Sequence, residues 1–179
     1  GLLVLIQFNL FTIILGIASL GLVAIYPFMK RVTFWPQLFL GLAFSWGALV
    51  GWSAVTGSLA WPALVMYAAC IAWTIGYDTI YALQDVEDDA MIGVKSTARL
   101  AGENVRSFVA AFYVAAAVLW GVSAYMVGAS WAFWVLAIMP LGMLGWQVVT
   151  LERTNGAKCL MHFKSNHWLG IALTVALIC

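Results

Sequence analysis

Charged side chains are rare in this sequence, at 8% of 179 residues. An ordinary soluble domain carries about 25%. With 65% hydrophobic residues and a mean hydropathy of +1.01, that deficit excludes a soluble globular domain and requires an integral membrane protein. Excess charge of one sign is missing too. The net charge is +1, so no electrostatic basis exists for binding nucleic acid. Cysteine is sparse: Cys70, Cys159 and Cys179 show neither metal-ligand spacing nor a pairing pattern, and Cys70 reads as core packing. Of four prolines, Pro27, Pro36 and Pro62 fall near the ends of apolar runs, where they break no helix. Pro140 falls inside a run and predicts a kink. The start has no basic n-region, which excludes a signal peptide. It also lacks Met, and the last apolar run stops at Cys179. The stretch is therefore expected to be cut from a longer chain at both ends.

What is present is a series of apolar runs. Five are long enough to span a bilayer: residues 10–29, 34–55, 61–82, 108–127 and 131–151. Partial spans are expected at residues 1–6 and 168–179. The latter gives about 18 Å of helix against a hydrocarbon core of about 30 Å. Lipid offers no partner to unpaired backbone groups, and the runs exceed β-barrel strand length, so only helices fit. The expected fold class is an all-α, polytopic transmembrane helix bundle, forming one transmembrane domain over residues 1–179. Trp35, Trp61 and Trp131 lie at run ends, as an interfacial aromatic belt requires. Gly47 and Gly51 form a small-xxx-small pair that predicts close helix packing.

Charge alternates with the loops. Lys30 and Arg31 share one loop, Lys95, Arg99 and Arg106 lie two loops on, and Arg153, Lys158 and Lys164 lie two loops after that. The turns between, 56–60 and 128–130, carry none. All eight cations thus fall on one membrane face, cytoplasmic or its equivalent by the positive-inside rule.

Six of the seven acidic residues lie between Asp78 and Glu103, around the run GYDTIYALQDVEDDAMIGVKSTAR. If one helix continues through that run, Asp78, Tyr81, Asp85 and Asp89 share a stripe. Asp78 and Asp85 would then stand roughly 10 Å apart, too far for one metal ion but suited to separate ions holding one polyanion. Mg²⁺ takes one or two carboxylates plus substrate phosphates. Asp78 sits about one turn inside a membrane boundary, where an ionisable residue is a functional hypothesis by default. Glu87 and Asp88 fit a solvated acidic loop equally well. The cations are candidates for phosphate, and each is alternatively a topology anchor. IGVKST lacks the upstream glycine of a phosphate-binding loop. His162 and His167 point about 140° apart on a helix, do not face one metal, and read as interfacial. Ser165 and Asn166 either donate to a ligand or cap the last helix. A cation or metabolite transporter is the competing class. It calls for ionisable groups near mid-membrane, whereas these lie at one face.

Residues 77–98, YDTxYAxxDxxDDxxxGxKSTA, resemble the second aspartate-rich motif of the UbiA-type aromatic prenyltransferases. The likeness is strongest to those that act on 4-hydroxybenzoate in ubiquinone synthesis. AIYPFMKRVTFWPQ, residues 24–37, and FKSN from Phe163, followed by Gly170, match the same family. The resemblance implies a nine-helix bundle with its chamber between two aspartate motifs. The first motif would lie upstream of Gly1, so the isolated stretch is expected to be inactive. The implied reaction moves a polyprenyl group from polyprenyl diphosphate to the ring of 4-hydroxybenzoate. Asp78, Asp85 and Tyr81 are the implied catalytic residues. Asp78, Asp85, Asp88 and Asp89 would hold Mg²⁺, and Lys30, Arg31, Lys95, Ser165 and Asn166 would bind substrate. Another acceptor, such as a quinone precursor, a haem or a chlorophyllide, stays open. The implied location is a bacterial or mitochondrial inner membrane.

Overall fold

The computed structural model describes residues 1–178, so Cys179 lies outside the described residues. The elements are α1 (Leu2–Leu5), α2 (Leu10–Val32), α3 (Pro36–Phe44), α4 (Trp46–Thr56), α5 (Trp61–Ala82), α6 (Val86–Met91), α7 (Thr97–Ala101), a 3₁₀ turn (Gly102–Asn104), α8 (Val105–Met126), α9 (Trp131–Leu136), α10 (Ile138–Thr150) and α11 (Gly156–Ile178). Among the described residues there is no strand. Five helical stretches are long and apolar enough to cross a membrane: Leu10–Val32, Pro36–Thr56, Trp61–Ala82, Thr97–Met126 and Trp131–Thr150. They coincide with the five apolar runs, and the chain is an integral membrane protein.

The centre is the pair α5 and α8. Ala69, Ala72 and Ala116 are buried there, and their small side chains let the two backbones approach. Gly76 lies directly under the Tyr113 ring. On one side α3 and α4 pack on α5, with α2 outside them; on the other, α11 packs on α5, α9 and α10. The perimeter is apolar and exposed, with Leu20, Phe28, Val114, Val118 and Ile138 turned outward, as lipid contact demands. Trp61 and Trp131 stand exposed in the first turns of their helices. Trp35, between two spans, is partly buried. It packs inward on Phe108 and Phe112, at 5.9 and 6.1 Å between ring centroids.

Four expectations need correcting or sharpening. The acidic run is not one helix with α5. The helix ends at Ala82 in tight turns, Leu83 N–H to Ile80 O and Gln84 N–H to Tyr81 O, and α6 begins anew after Asp85. Asp85 therefore lies outside both helices, and α6 carries Glu87, Asp88 and Asp89 in a register of its own. The last helix is 23 residues long and starts at Gly156, far upstream of the predicted partial span. Asn155 caps it, its Oδ1 accepting from the Lys158 amide. Lys158, Lys164 and two histidines lower the hydropathy of its first half, which hides it from an apolar-run criterion. Gly47 and Gly51 are exposed and touch nothing. The close approach falls instead at Gly41, where an added Cβ would stand 3.2 Å from the Ile71 carbonyl oxygen. Pro140 does interrupt its span, which divides at Ala137 into α9 and α10. Proline has no N–H for the carbonyl four residues back.

Candidate active site

The charged residues collect at one end of the bundle, where the C-terminal turns of α2 and α5 meet α6 and residues 92–97. Asp78 occupies the last turns of α5 and is half-buried. Tyr26 and Lys30, one turn apart on α2, both lie close enough to Asp78 to feel its charge. Lys30 also acts on Asp89. It therefore faces carboxylates from two elements. Tyr26 escaped the sequence reading, although it stands in the quoted motif at i−4 from Lys30, a spacing that places both on one helical face.

The break after Ala82 separates the expected stripe. Asp78 and Tyr81 stay on α5, Asp85 precedes α6 with no capping bond, and Asp88 and Asp89 lie within α6. Asp85 and Asp88 are exposed, Asp89 half-buried. Burial pushes the Asp89 carboxyl up from the usual range; Lys30 and Arg99 pull it back, while Asp85 and Asp88 oppose them. Among the described residues the ion pairs are Arg153–Glu103 and Lys158–Glu152. The four aspartates of the run take part in neither. No group of three His, Cys, Asp or Glu among those residues converges on one point.

The cations divide by employment. Lys30 and Arg31 are exposed, and their side chains make no hydrogen bond or direct ion pair among the described residues. Lys95 is occupied. Its Nζ donates to the Val32 carbonyl at 3.1 Å, its amide donates to the Lys30 carbonyl at 2.9 Å, and its ammonium lies 5.5 Å from the Phe34 ring centroid. It thereby caps the C-terminus of α2, where the orphan carbonyls and the helix dipole favour a cation. Arg99 donates to the Val94 and Asp89 carbonyls over the same ring. Arg106 donates to the Leu151 carbonyl at 2.7 Å.

Beside Asp78 runs an aromatic ladder. Trp73 and Tyr77 are 5.5 Å apart, and Phe163 of α11 sits 5.8 Å from Tyr77 and 4.6 Å from Tyr81. Asn166 holds Trp73, its Oδ1 accepting from the indole N–H at 2.9 Å while its Nδ2 donates to the His162 and Phe163 carbonyls. Ser165 accepts from Gln147 at 3.0 Å and donates to the His162 carbonyl. Both residues lie inside α11 and cap nothing. His162 is fully buried, 3.2 Å from the Thr150 hydroxyl and against the Trp146 ring. His167 is exposed beside Trp168. A largely apolar cavity of ≈ 700 Å³ opens along α5 and α11, lined by Met66, Cys70, Trp73, Asn166, Gly170 and Thr174 among others. A polar cavity of ≈ 400 Å³ lies under the acidic run, between Glu87 and Asp88 and the Arg153 side.

Comparison with known proteins agrees with this architecture. The chain is 45% identical over 172 residues to a protein from Arabidopsis thaliana named "4-hydroxybenzoate polyprenyltransferase, mitochondrial", covering 95% of this chain and 42% of that one. A protein of the same name from Drosophila melanogaster is 48% identical over 185 residues, covering 99% and 46% respectively. The chain thus spans about half the length of the curated relatives it matches. The apo structure of a UbiA homolog from Aeropyrum pernix K1 superposes with a TM-score of 0.77, covering 97% of this chain and 67% of that one. At 22% identity that likeness speaks for the fold alone. Residues 1–170 match the UbiA prenyltransferase family, and with the helical fold and the acidic end of α5 already in place, the chain belongs to that family.

Proposed function

We propose that the protein containing this chain transfers a polyprenyl group from polyprenyl diphosphate to the ring of 4-hydroxybenzoate, with Mg²⁺ as cofactor. The observation that carries the reading is Asp78, a half-buried carboxylate at the end of a spanning helix, faced by Tyr26 and Lys30. The names of the relatives supply the substrates.

The donor set fits the metal. Asp85 and Asp88 offer exposed carboxylate oxygens, and none of the run's aspartates is consumed by an ion pair among the described residues. Hard oxygen donors suit Mg²⁺, which binds through one or two carboxylates and leaves its other positions to phosphate and water. When bound, Mg²⁺ would neutralise the diphosphate as it departs. Lys30 and Arg31, free of other bonds, bind anionic groups: the diphosphate, or for Arg31 alternatively the benzoate carboxylate. Lys95 serves them indirectly by capping α2. Tyr77, Tyr81 and Phe163 present ring faces and edges to the allylic centre, where a π-face stabilises positive charge and excludes water. The apolar cavity along α5 and α11 suits the isoprenoid tail. The charged end faces the cytoplasm or its topological equivalent.

The test is direct. Full-length protein in membranes, given polyprenyl diphosphate, 4-hydroxybenzoate and Mg²⁺, should yield the ring-prenylated benzoate by mass spectrometry. Product with a quinone precursor but none with 4-hydroxybenzoate would replace the acceptor and leave the family intact.

A further inference from the structure

Beneath the charged end lies a buried polar assembly that the proposed chemistry does not use. Thr79 follows Asp78 on α5, turned about 100° from it into the core, and is fully buried. Its hydroxyl donates to the Ile75 carbonyl at 2.5 Å. A hydroxyl has one proton, so in the 2.6 Å contact between Thr79 and Thr97 the Thr97 hydroxyl donates and Thr79 accepts. The Thr97 amide donates to Gln37 Oε1 at 3.0 Å, and Gln37 is itself buried in the first turn of α3. Two residues upstream of Thr97, Lys95 is bonded to the Lys30 and Val32 carbonyls. Residues 95–97 are therefore tied on one side to α5 beside Asp78, and on the other to the end of α2 and the start of α3.

We infer that Gln37, Thr79 and Thr97 are positioning residues, a buried bracket that fixes the separation between Asp78 on α5 and Lys30 on α2. Gln37 is 4% exposed, Thr79 and Thr97 0%, so none of them reaches a substrate. Their polar atoms are directed at one another. Polar groups in an apolar core are tolerated only when paired, and a valine or leucine would fill the same volume without a partner. What these three add is a fixed geometry between elements that share no chain continuity. Lys30 and Asp78 sit at opposite ends of this bracket. A shift in either alters how a diphosphate is held between cation and carboxylate. The inference deepens the proposed prenyl transfer and rests on it.

The experiment uses full-length protein in native membranes. In Gln37→Leu and Thr79→Val, KM for polyprenyl diphosphate should rise about fivefold or more. KM for 4-hydroxybenzoate and kcat should move much less. Thr79→Ser, which keeps the hydroxyl that accepts from Thr97, should recover most of the loss. Unchanged KM values, or activity that falls only in step with folded protein, would overturn the bracket. Hydrogen exchange on the unmutated protein gives a readout that needs no variant. The Lys95 and Thr97 amides should exchange more slowly than that of Ser96, which lies between them and has no acceptor among the described residues. Equal rates would overturn the inference even if neither variant accumulates. A wild-type protein that makes no prenylated product overturns the reaction and the positioning role with it. Normal KM values in variants of an active enzyme overturn the bracket alone.

Discussion

Asp78→Asn in the full-length protein tests the site at its centre. The substitution preserves volume and most hydrogen-bonding capacity and removes one charge. Asp78 is half-buried at the end of a span, and Lys30 is the cation that acts on it. Losing one charge-assisted contact costs about 1.5–3 kcal/mol. Removing a preorganised group aimed at developing charge lowers kcat by about 10²–10³-fold. Together these set the expected fall in kcat/KM at about a hundredfold or more, with the Mg²⁺ concentration for half-maximal rate shifted upward. Stability should move little. The variant no longer desolvates a charge, but it also loses the attraction of Lys30, and these terms oppose each other. Thermal melting in detergent should therefore stay within a few degrees of wild type, about 1 kcal/mol or less. Prenyl transfer is followed by mass spectrometry, with Glu87→Gln as the control. Glu87 is exposed on α6, and its charge should be worth less than about a factor of two. The reasoning fails if Asp78→Asn turns over within threefold of wild type, or if Glu87→Gln is the more damaged of the two.

Three further outcomes are expected. Arg31→Ala should raise a substrate KM or lower kcat by about tenfold or more, since its exposed guanidinium has no other bond to lose; unchanged kinetics for both substrates would return Arg31 to a topology anchor. In a cysteine-free background, Ser58→Cys and Val127→Cys should label from the opposite membrane side to Thr154→Cys; labelling of all three from one side would refute the alternation of charged and uncharged loops. Gly76→Ala should lower thermal stability by about 1–3 kcal/mol through overpacking against the Tyr113 ring, whereas Gly47→Ala, which meets nothing, should be neutral within about 0.5 kcal/mol.

The spans were legible because burial in lipid demands long apolar runs, and composition alone reports them. The single charged face was legible for the same reason, since an ion inside a span is costly. What stayed hidden depends on contacts between distant segments. Lys95 looks like a free cation in the sequence, because its acceptor is a carbonyl 63 residues away. The partner of the Asn166 oxygen, the Trp73 indole, lies 93 residues away and is likewise invisible in the sequence. Gly47 and Gly51 have the spacing of a packing motif, but spacing cannot say whether a neighbour lies against that face, and here none does. The stripe of Asp78, Asp85 and Asp89 is broken by tight turns at Leu83 and Gln84, which helical periodicity alone does not report. Tyr26 could have been found from its i−4 relation to Lys30, had that helix end been read as facing the acidic run.

The break between Ala82 and Val86 has a consequence for how this region tolerates change in length. In a continuous helix, inserting or deleting one residue rotates everything downstream by about 100°. Here α6 takes no register from α5. Its orientation is set by Val86 against the core and, on its far side, by Arg99 on the Asp89 and Val94 carbonyls and by Lys95 on the end of α2. An insertion at residues 83–85 would not rotate α6 in register with α5, but it would have to keep Leu83 and Val86 on the core. One between Val94 and Thr97 should not be tolerated, because there the chain is pinned on both sides. Length variation among homologous sequences should therefore be rare between Val94 and Thr97.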